Sequence, residues 1–202
     1  MLKIGLAGGS GSGKGIVSSL FSLSGIPAID CDAVYHDMIS RDTTLTRELA
    51  AAFGEEILSR DGGVDRRVLF DVAFRDFERR NRLNEISHRR IRAVLHEWMD
   101  RAEKQGIPAI LVDAPLLFES GFDRECDLSI AVTAPYELRV ERIMQRDGIT
   151  RPRAEARIAA QISDEELARR ADLVLQNDGD LAHFMKEIIR VLNTINKRGK
   201  EK

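Results

Sequence analysis

Cysteine is scarce: Cys31 and Cys126 are the two in 202 residues. They are too few and too far apart for a disulfide framework or a zinc site, so a reducing, cytoplasmic setting is the default expectation. Long apolar runs are missing as well. No stretch approaches the roughly 18 residues that cross a bilayer, and the opening Met1-Leu2-Lys3-Ile4-Gly5-Leu6-Ala7 is too short, and lacks the basic start, for a secretory signal. No surplus of charge of either sign exists, with 31 Lys+Arg against 33 Asp+Glu for a net charge of −2. That balance excludes a protein that holds nucleic acid by bulk charge, because neutralising phosphates needs a cationic face. Any anion must be gripped locally. No repeat or low-complexity segment is present.

What remains is 43% apolar and 32% charged, a globular chain long enough for one large domain or one core carrying inserted lobes. Among the basic residues 24 are Arg and 7 are Lys. The planar guanidinium fork suits phosphate oxygens, although a genomic codon bias produces the same skew.

Apolar runs of strand length occur at 2–7, 26–30, 107–113, 128–133 and 173–175. They alternate with helical spacing, beginning at Lys14 and closing with a helix over about 180–196, and a frayed tail is expected at 197–202. The pattern predicts an α/β fold with a doubly wound five-stranded parallel sheet. Two helical segments add nothing to the sheet and read as grafted lobes, 33–105 and 136–170. The first is expected to break at Asp61-Gly62-Gly63 and at Asp76. In the second, Ser163 to Glu166 matches a capping box, so a helix should start there.

Gly8-Gly9-Ser10-Gly11-Ser12-Gly13-Lys14 follows the first strand and opens the first helix. It fits G-x-x-x-x-G-K, where backbone N–H groups curl around phosphate oxygens, the helix N-terminus adds its dipole and Lys reaches the outer phosphates. The next position normally carries the hydroxyl that ligates Mg²⁺. Here it is Gly15, so a water, a shifted carboxylate or weaker nucleotide binding must follow.

Asp30-Cys31-Asp32 ends the second strand, and extended alternation would point both carboxylates one way, with Asp as a helix cap the alternative. Asp113 closes the third strand, a position from which carboxylates hold Mg²⁺ through water. Eight arginines fall within 139–170, and Arg139, Arg142 and Arg146 share a helical face that a mobile lid could close over phosphate. Surface ion pairing accounts for half or more of the eight. His88, beside Arg89 and Arg90, could face an anionic substrate, while His36, His96 and His183 read as ordinary residues.

Together these motifs resemble the dephospho-CoA kinase family along the whole chain. The loop Ile4 to Ile16 resembles the family's opening, departing at Ser10, Gly15 and Ile16. Asp30-Cys31-Asp32 is similar to its Asp-Ala-Asp, and 61–69 to its Asp-Gly-x-Leu-x-Arg-x-x-Leu. Leu83-Asn84 through His88 is similar to its Leu-Asn-x-x-x-His-Pro, with Arg89 in place of Pro. Asp113-Ala-Pro-Leu-Leu-Phe-Glu119, Met144-Gln-Arg-Asp147 and Gln176-Asn-Asp-Gly179 complete the set.

The resemblance implies a P-loop kinase domain over 1–202 that uses ATP and Mg²⁺ to phosphorylate the ribose 3′-hydroxyl of dephospho-CoA, giving coenzyme A and ADP. Its core would be about 1–32, 106–135 and 171–202, its acceptor lobe about 33–105 and its lid about 136–170. It implies Asp32 as the base that takes the hydroxyl proton. Lys14 and the loop residues Gly8, Gly9, Ser10, Gly11, Ser12, Gly13 and Gly15 would hold the phosphates, with Arg142 and Arg146 reaching from the lid. Arg66, His88, Leu116, Leu117 and Glu119 would line the acceptor side, and Asn177 and Gly179 would sit by the adenine. The expected setting is the cytoplasm, as a monomer or small homo-oligomer, with no membrane or nucleic-acid partner. Two alternatives stand beside it: a kinase of another small hydroxyl or nucleotide acceptor, and a nucleotide- or CoA-binding relative impaired by Gly15.

Overall fold

Strand β1 (Leu2–Ala7) is buried from Ile4 onward, as an apolar run covered on both faces of a sheet must be. Four further strands join it: β2 (Ala28–Asp30), β3 (Ala109–Asp113), β4 (Leu128–Thr133) and β5 (Leu173–Gln176). The computed structural model describes residues 1–200 and orders the sheet β2-β3-β1-β4-β5. The recorded pairings β1–β3, β1–β4 and β4–β5 are all parallel, as the alternation of strands and helices predicts. Register then fixes the edge that matters. Leu6 lies opposite Asp113, Ala7 opposite Ala131 and Thr133 opposite Gln176, so the chain leaves each of these strands at the same C-terminal edge. In sheets of this kind ligands bind at that edge.

Helices α1 (Lys14–Leu23) and α9 (Leu181–Lys200) pack on the sheet, with Val17, Phe21, Phe184, Ile188 and Leu192 in one core with Ile4, Leu111, Ile130 and Leu175. Helix α9 runs beyond the expected stop near 196, and residues 201–202 of the expected frayed tail lie outside the described residues. At the β4–β5 side, Ser129 N–H and Oγ–H both donate to Asp172 Oδ2 (2.7 and 2.6 Å), and Asp172 N–H donates back to Ser129 Oγ. These contacts hold the Asp172 carboxyl below its ordinary range, the Ser129 hydroxyl being the largest influence.

By its own contacts the chain forms two compact units: Met1–Ile29 with Ala102–Lys202, and Asp30–Arg101. The second unit contains α2 (Cys31–Arg41), α3 (Thr43–Phe53), α4 (Arg66–Ala73) and most of α5 (Phe77–Lys104). They enclose their own core of Met38, Leu45, Leu49, Phe53, Leu69, Val72 and Ile86. The chain turns at Asp61-Gly62-Gly63 between the bridged residues Leu58 and Val64, and again around Asp76, which accepts from Arg79 N–H. Two further breaks appear at Asp42 and Gly54. Asp42 caps α3 through Thr44 and Leu45 N–H (2.8 and 3.1 Å), a local bond that outweighs continued helical spacing.

Helices α6 (Tyr136–Asp147), α7 (Arg151–Ala159) and α8 (Asp164–Arg170) follow β4 within the first unit. Ser163 caps α8, as its capping-box pattern predicts.

Candidate phosphate-binding site

The glycine-rich segment joins the end of β1 to the first turn of α1, and its glycines are required by geometry. Gly11 has φ +79°, and a Cβ there would lie 2.7 Å from the Arg139 carbonyl oxygen, which is backbone and cannot yield. Gly13 has φ +103°, and its Cβ would meet Asn177 Nδ2 at 2.3 Å. At Gly9 the obstacle is the Arg139 guanidinium, 2.1 Å from an added Cβ.

Three consecutive carbonyls of this loop are tied from outside. Arg139 Nε–H donates to Ser10 O (3.0 Å), Arg142 Nη1–H to Gly11 O (3.1 Å), and Asn177 Nδ2–H to Ser12 O (2.9 Å). In a trans peptide the N–H lies opposite the preceding carbonyl, so holding these oxygens outward turns the N–H groups of Gly11 and Gly13 the other way. Ser12 N–H closes a turn onto Gly9 O. Beyond Gly13, the N–H groups of Lys14 and Gly15 have no intrahelical carbonyl to meet, while Ile16 N–H donates to Gly13 O. The result is an anion cradle with the positive end of a helix behind it.

The clamps are themselves held. Arg139 is 4% exposed and pairs with Asp164 at 2.7 Å, while its Nη2–H donates to Gln161. Gln161 accepts from Ser10 N–H (2.9 Å) and donates to Ser10 Oγ (3.2 Å). Arg142 Nη2–H donates to Asn177 Oδ1 (3.0 Å). Gln161 has no assigned role in the sequence, and Arg139 enters there only as one of three arginines on a helical face, because nothing local marks a residue whose partner lies 129 or 151 positions away.

Several expected positions change. Asn177 is 2% exposed and both ends of its amide are engaged at the loop, so its side chain is a loop support and not an adenine contact. Gly179 lies in the turn after β5 with φ +108°. The arginine face divides: Arg139 and Arg142 reach the loop, whereas Arg146 turns to Asp147, because a contact patch of one turn cannot accommodate a third residue seven positions along the helix. Arg151, Arg157 and Arg169 also pair with nearby carboxylates. Arg146 and Arg157 together hold the Asp147 carboxyl down at about 2, chiefly by the Arg146 hydrogen bond.

Lys14 Nζ lies 3.8 Å from Asp113 Oδ1, and Ser18 Oγ–H donates to Asp113 Oδ2 at 2.8 Å. Nothing lies within 4 Å of a Cβ placed at Gly15, so a side chain there would meet open space.

The carboxylates after β2 do not share an extended stretch. The strand stops at Asp30 and α2 begins at Cys31, with Asp30 Oδ1 accepting from Asp32 and Ala33 N–H at 2.8 and 3.2 Å. Asp30 is therefore the helix cap. Asp32 stands exposed in the first turn of α2.

Within the same unit Arg66 opens α4 and contacts His36 Nε2, so His36 has a partner that its isolation in sequence did not suggest. Burial raises the nearby Tyr35 hydroxyl, opposed by its hydrogen bond with Ser87 and the Arg66 charge. His88 is held below its ordinary 6.5, first by burial and then by Arg92. The unfolded chain thus takes up that proton first as pH falls, and stability is lost from about pH 6.5 downward until the folded imidazole also protonates. The expected result is a melting midpoint that drops on acidification through this window and drops less in His88→Gln, measured by circular-dichroism melts across the range.

In the turn 114–121, Leu116 is 48% exposed but Leu117 is fully buried. A Cβ at Gly5 would sit 2.8 Å from Leu117 Cδ2, so Leu117 is a core residue and not an acceptor contact. Glu119 is raised by desolvation, with Arg170 opposing. Arg170 braces this turn by donating to Phe118 O (3.1 Å) and lying over the Phe118 ring.

The sequence model of the dephospho-CoA kinase family matches residues 2–183. A dephospho-CoA kinase of Corynebacterium glutamicum is 39% identical over 97% of this chain and 100% of its own. A Thermus thermophilus crystal structure superposes with a TM-score of 0.82 at 35% identity, covering 96% of this chain and 97% of the other. The dephospho-CoA kinase from Campylobacter jejuni gives 0.72 at 28%, with 96% and 97% covered. Agreement over nearly the full length, with a phosphate cradle at the expected sheet edge, means that the chain belongs to the dephospho-CoA kinase family of phosphotransferases that act on a hydroxyl group.

Proposed function

We propose that this chain transfers the γ-phosphoryl group of ATP to the ribose 3′-hydroxyl of dephospho-CoA, giving coenzyme A and ADP. The observation that carries the reading is the cradle itself, with the carbonyls of Ser10, Gly11 and Ser12 tied outward next to Lys14 and Asp113. ATP brings the transferable group, and Mg²⁺ offsets the charge on its oxygens. The loop N–H groups and Lys14 hold the phosphates in line, the positioning that phosphoryl transfer chiefly asks of a protein. Asp32 accepts the proton leaving the attacking hydroxyl. Arg66, His88, Leu116 and Glu119 serve acceptor binding, with 33–105 as the acceptor lobe. The segment 136–170 acts as the lid that keeps water from competing as acceptor, and Arg142 and Arg139 join it to the loop.

Asp113 fits a water-mediated hold on Mg²⁺, since that ion keeps several waters and takes one or two carboxylates beside phosphate oxygens. Among the described residues no helix is long and apolar enough to cross a membrane. The cytoplasm is the proposed setting, as a monomer or small homo-oligomer without nucleic acid.

Incubation of the purified protein with ATP, Mg²⁺ and a panel of hydroxyl acceptors, with products weighed by mass spectrometry, tests the assignment. Coenzyme A formed faster than any other product is expected; a better acceptor than dephospho-CoA overturns it. Gly15 favours one rival, a binder without turnover, which calorimetry would expose as ATP binding with no ADP release. Restoring the hydroxyl with Gly15→Ser is expected to tighten Mg·ATP about fivefold, the scale of one polar contact of about 1 kcal/mol. Titration with and without Mg²⁺ measures it, and equal affinities for the parent and variant would show a different metal arrangement.

A further inference from the structure

We propose that Ser18 is a positioning residue for the metal: it fixes the Asp113 carboxylate and so makes up, one helical turn along, for the hydroxyl that Gly15 lacks. The inference rests on the reading that the chain binds Mg·ATP.

Gly15 and Ser18 are three apart on α1, so they lie on one face of the helix. A serine inside a helix commonly returns its hydroxyl to the carbonyl four residues back. Ser18 instead donates to Asp113, 95 positions away, at 2.8 Å. That bond fixes Oδ2, while Oδ1 faces Lys14 Nζ at 3.8 Å. The carboxylate is thereby hydrogen-bonded at Oδ2 and faces a cation at Oδ1, and its side chain is only 13% exposed. It cannot swing freely toward or away from an ion at the loop.

Where a loop serine or threonine ligates the metal, the carboxylate adds a hold through water. Here no hydroxyl occupies position 15, although space is open around it, so orientation of Asp113 carries a larger part of the metal's retention. Hydrogen-bond partners in the outer shell of a metal site typically change metal affinity by 10–100-fold. Ser18 acts through Asp113 and touches no reacting atom.

The test uses the full chain, Mn²⁺ as the probe ion and a non-hydrolysable ATP analogue, with free Mn²⁺ counted by electron paramagnetic resonance. In Ser18→Ala, Mn²⁺ retention in the nucleotide complex is expected to weaken by at least about tenfold, while metal-free nucleotide binding stays as in the parent. Ser18→Thr, which keeps the hydroxyl, is expected to retain Mn²⁺ like the parent. Adding Gly15→Ser to Ser18→Ala is expected to win back about fivefold of the loss, because a ligand is supplied directly. Unchanged Mn²⁺ retention in Ser18→Ala overturns the inference and leaves the nucleotide reading standing. An equal loss of metal-free nucleotide binding also overturns it, since that would mark damage to the loop. A parent chain that binds no nucleotide, with or without Mn²⁺, defeats both the inference and the reading beneath it.

Discussion

Asp32→Asn is expected to slow turnover at least about a hundredfold with little change in the binding of either substrate, the scale of a lost general base. The substitution is nearly isosteric, and α2 keeps its start because the cap is supplied by Asp30 to the backbone N–H groups of residues 32 and 33. Steady-state ADP release, with substrate affinities measured separately, separates the two effects. Turnover within tenfold of the parent would remove Asp32 from the role. Asp30→Ala is the informative contrast: it strips the cap, costs about 1 kcal/mol of stability, and leaves the Asp32 carboxylate in the chain.

Gly11→Ala is expected to be nearly as damaging, by a different route. Alanine at φ +79° costs about 1–2 kcal/mol in backbone strain alone. The new Cβ would also stand 2.7 Å from the Arg139 carbonyl oxygen, so either the loop or α6 must move. Moving the loop breaks the alignment of Ser10, Gly11 and Ser12 on their three clamps. A combined loss near 3 kcal/mol corresponds to about a hundredfold weaker ATP binding. Calorimetric titration checks it, and near-parental affinity would show that the cradle is more pliable than its contacts imply.

Much of the architecture could be read locally. The bounds of β1 and β4 are legible because each is a short, largely apolar run, and the phosphate loop is recognisable from composition and spacing within seven residues. The supports of that loop were not legible. Arg139, Gln161 and Asn177 matter through partners 129, 151 and 165 positions away, and helical periodicity cannot rank three arginines on one face by their reach. Leu116 and Leu117 are adjacent, chemically identical and opposite in burial, since a turn has no period from which to infer a side. Asp30 and Asp32 pair in the sequence reading only if the extended chain continues past Asp30, whereas α2 begins at Cys31. A single helix-starting residue separates their environments.

That junction has a bearing on how the sequence can vary in length. Between Asp30 and Cys31 there is no connecting loop: the last strand residue is also the helix cap. An inserted residue between the cap and Asp32 would have nowhere to bulge, and would carry the carboxylate about 100° around the helix axis. The hairpin at Asp61-Gly62-Gly63 has free space around Gly62 and ends bridged at Leu58 and Val64, so it can absorb an added residue. Among sequences of this fold, length differences should therefore collect at the hairpin and be absent from the five residues Pro27-Ala28-Ile29-Asp30-Cys31.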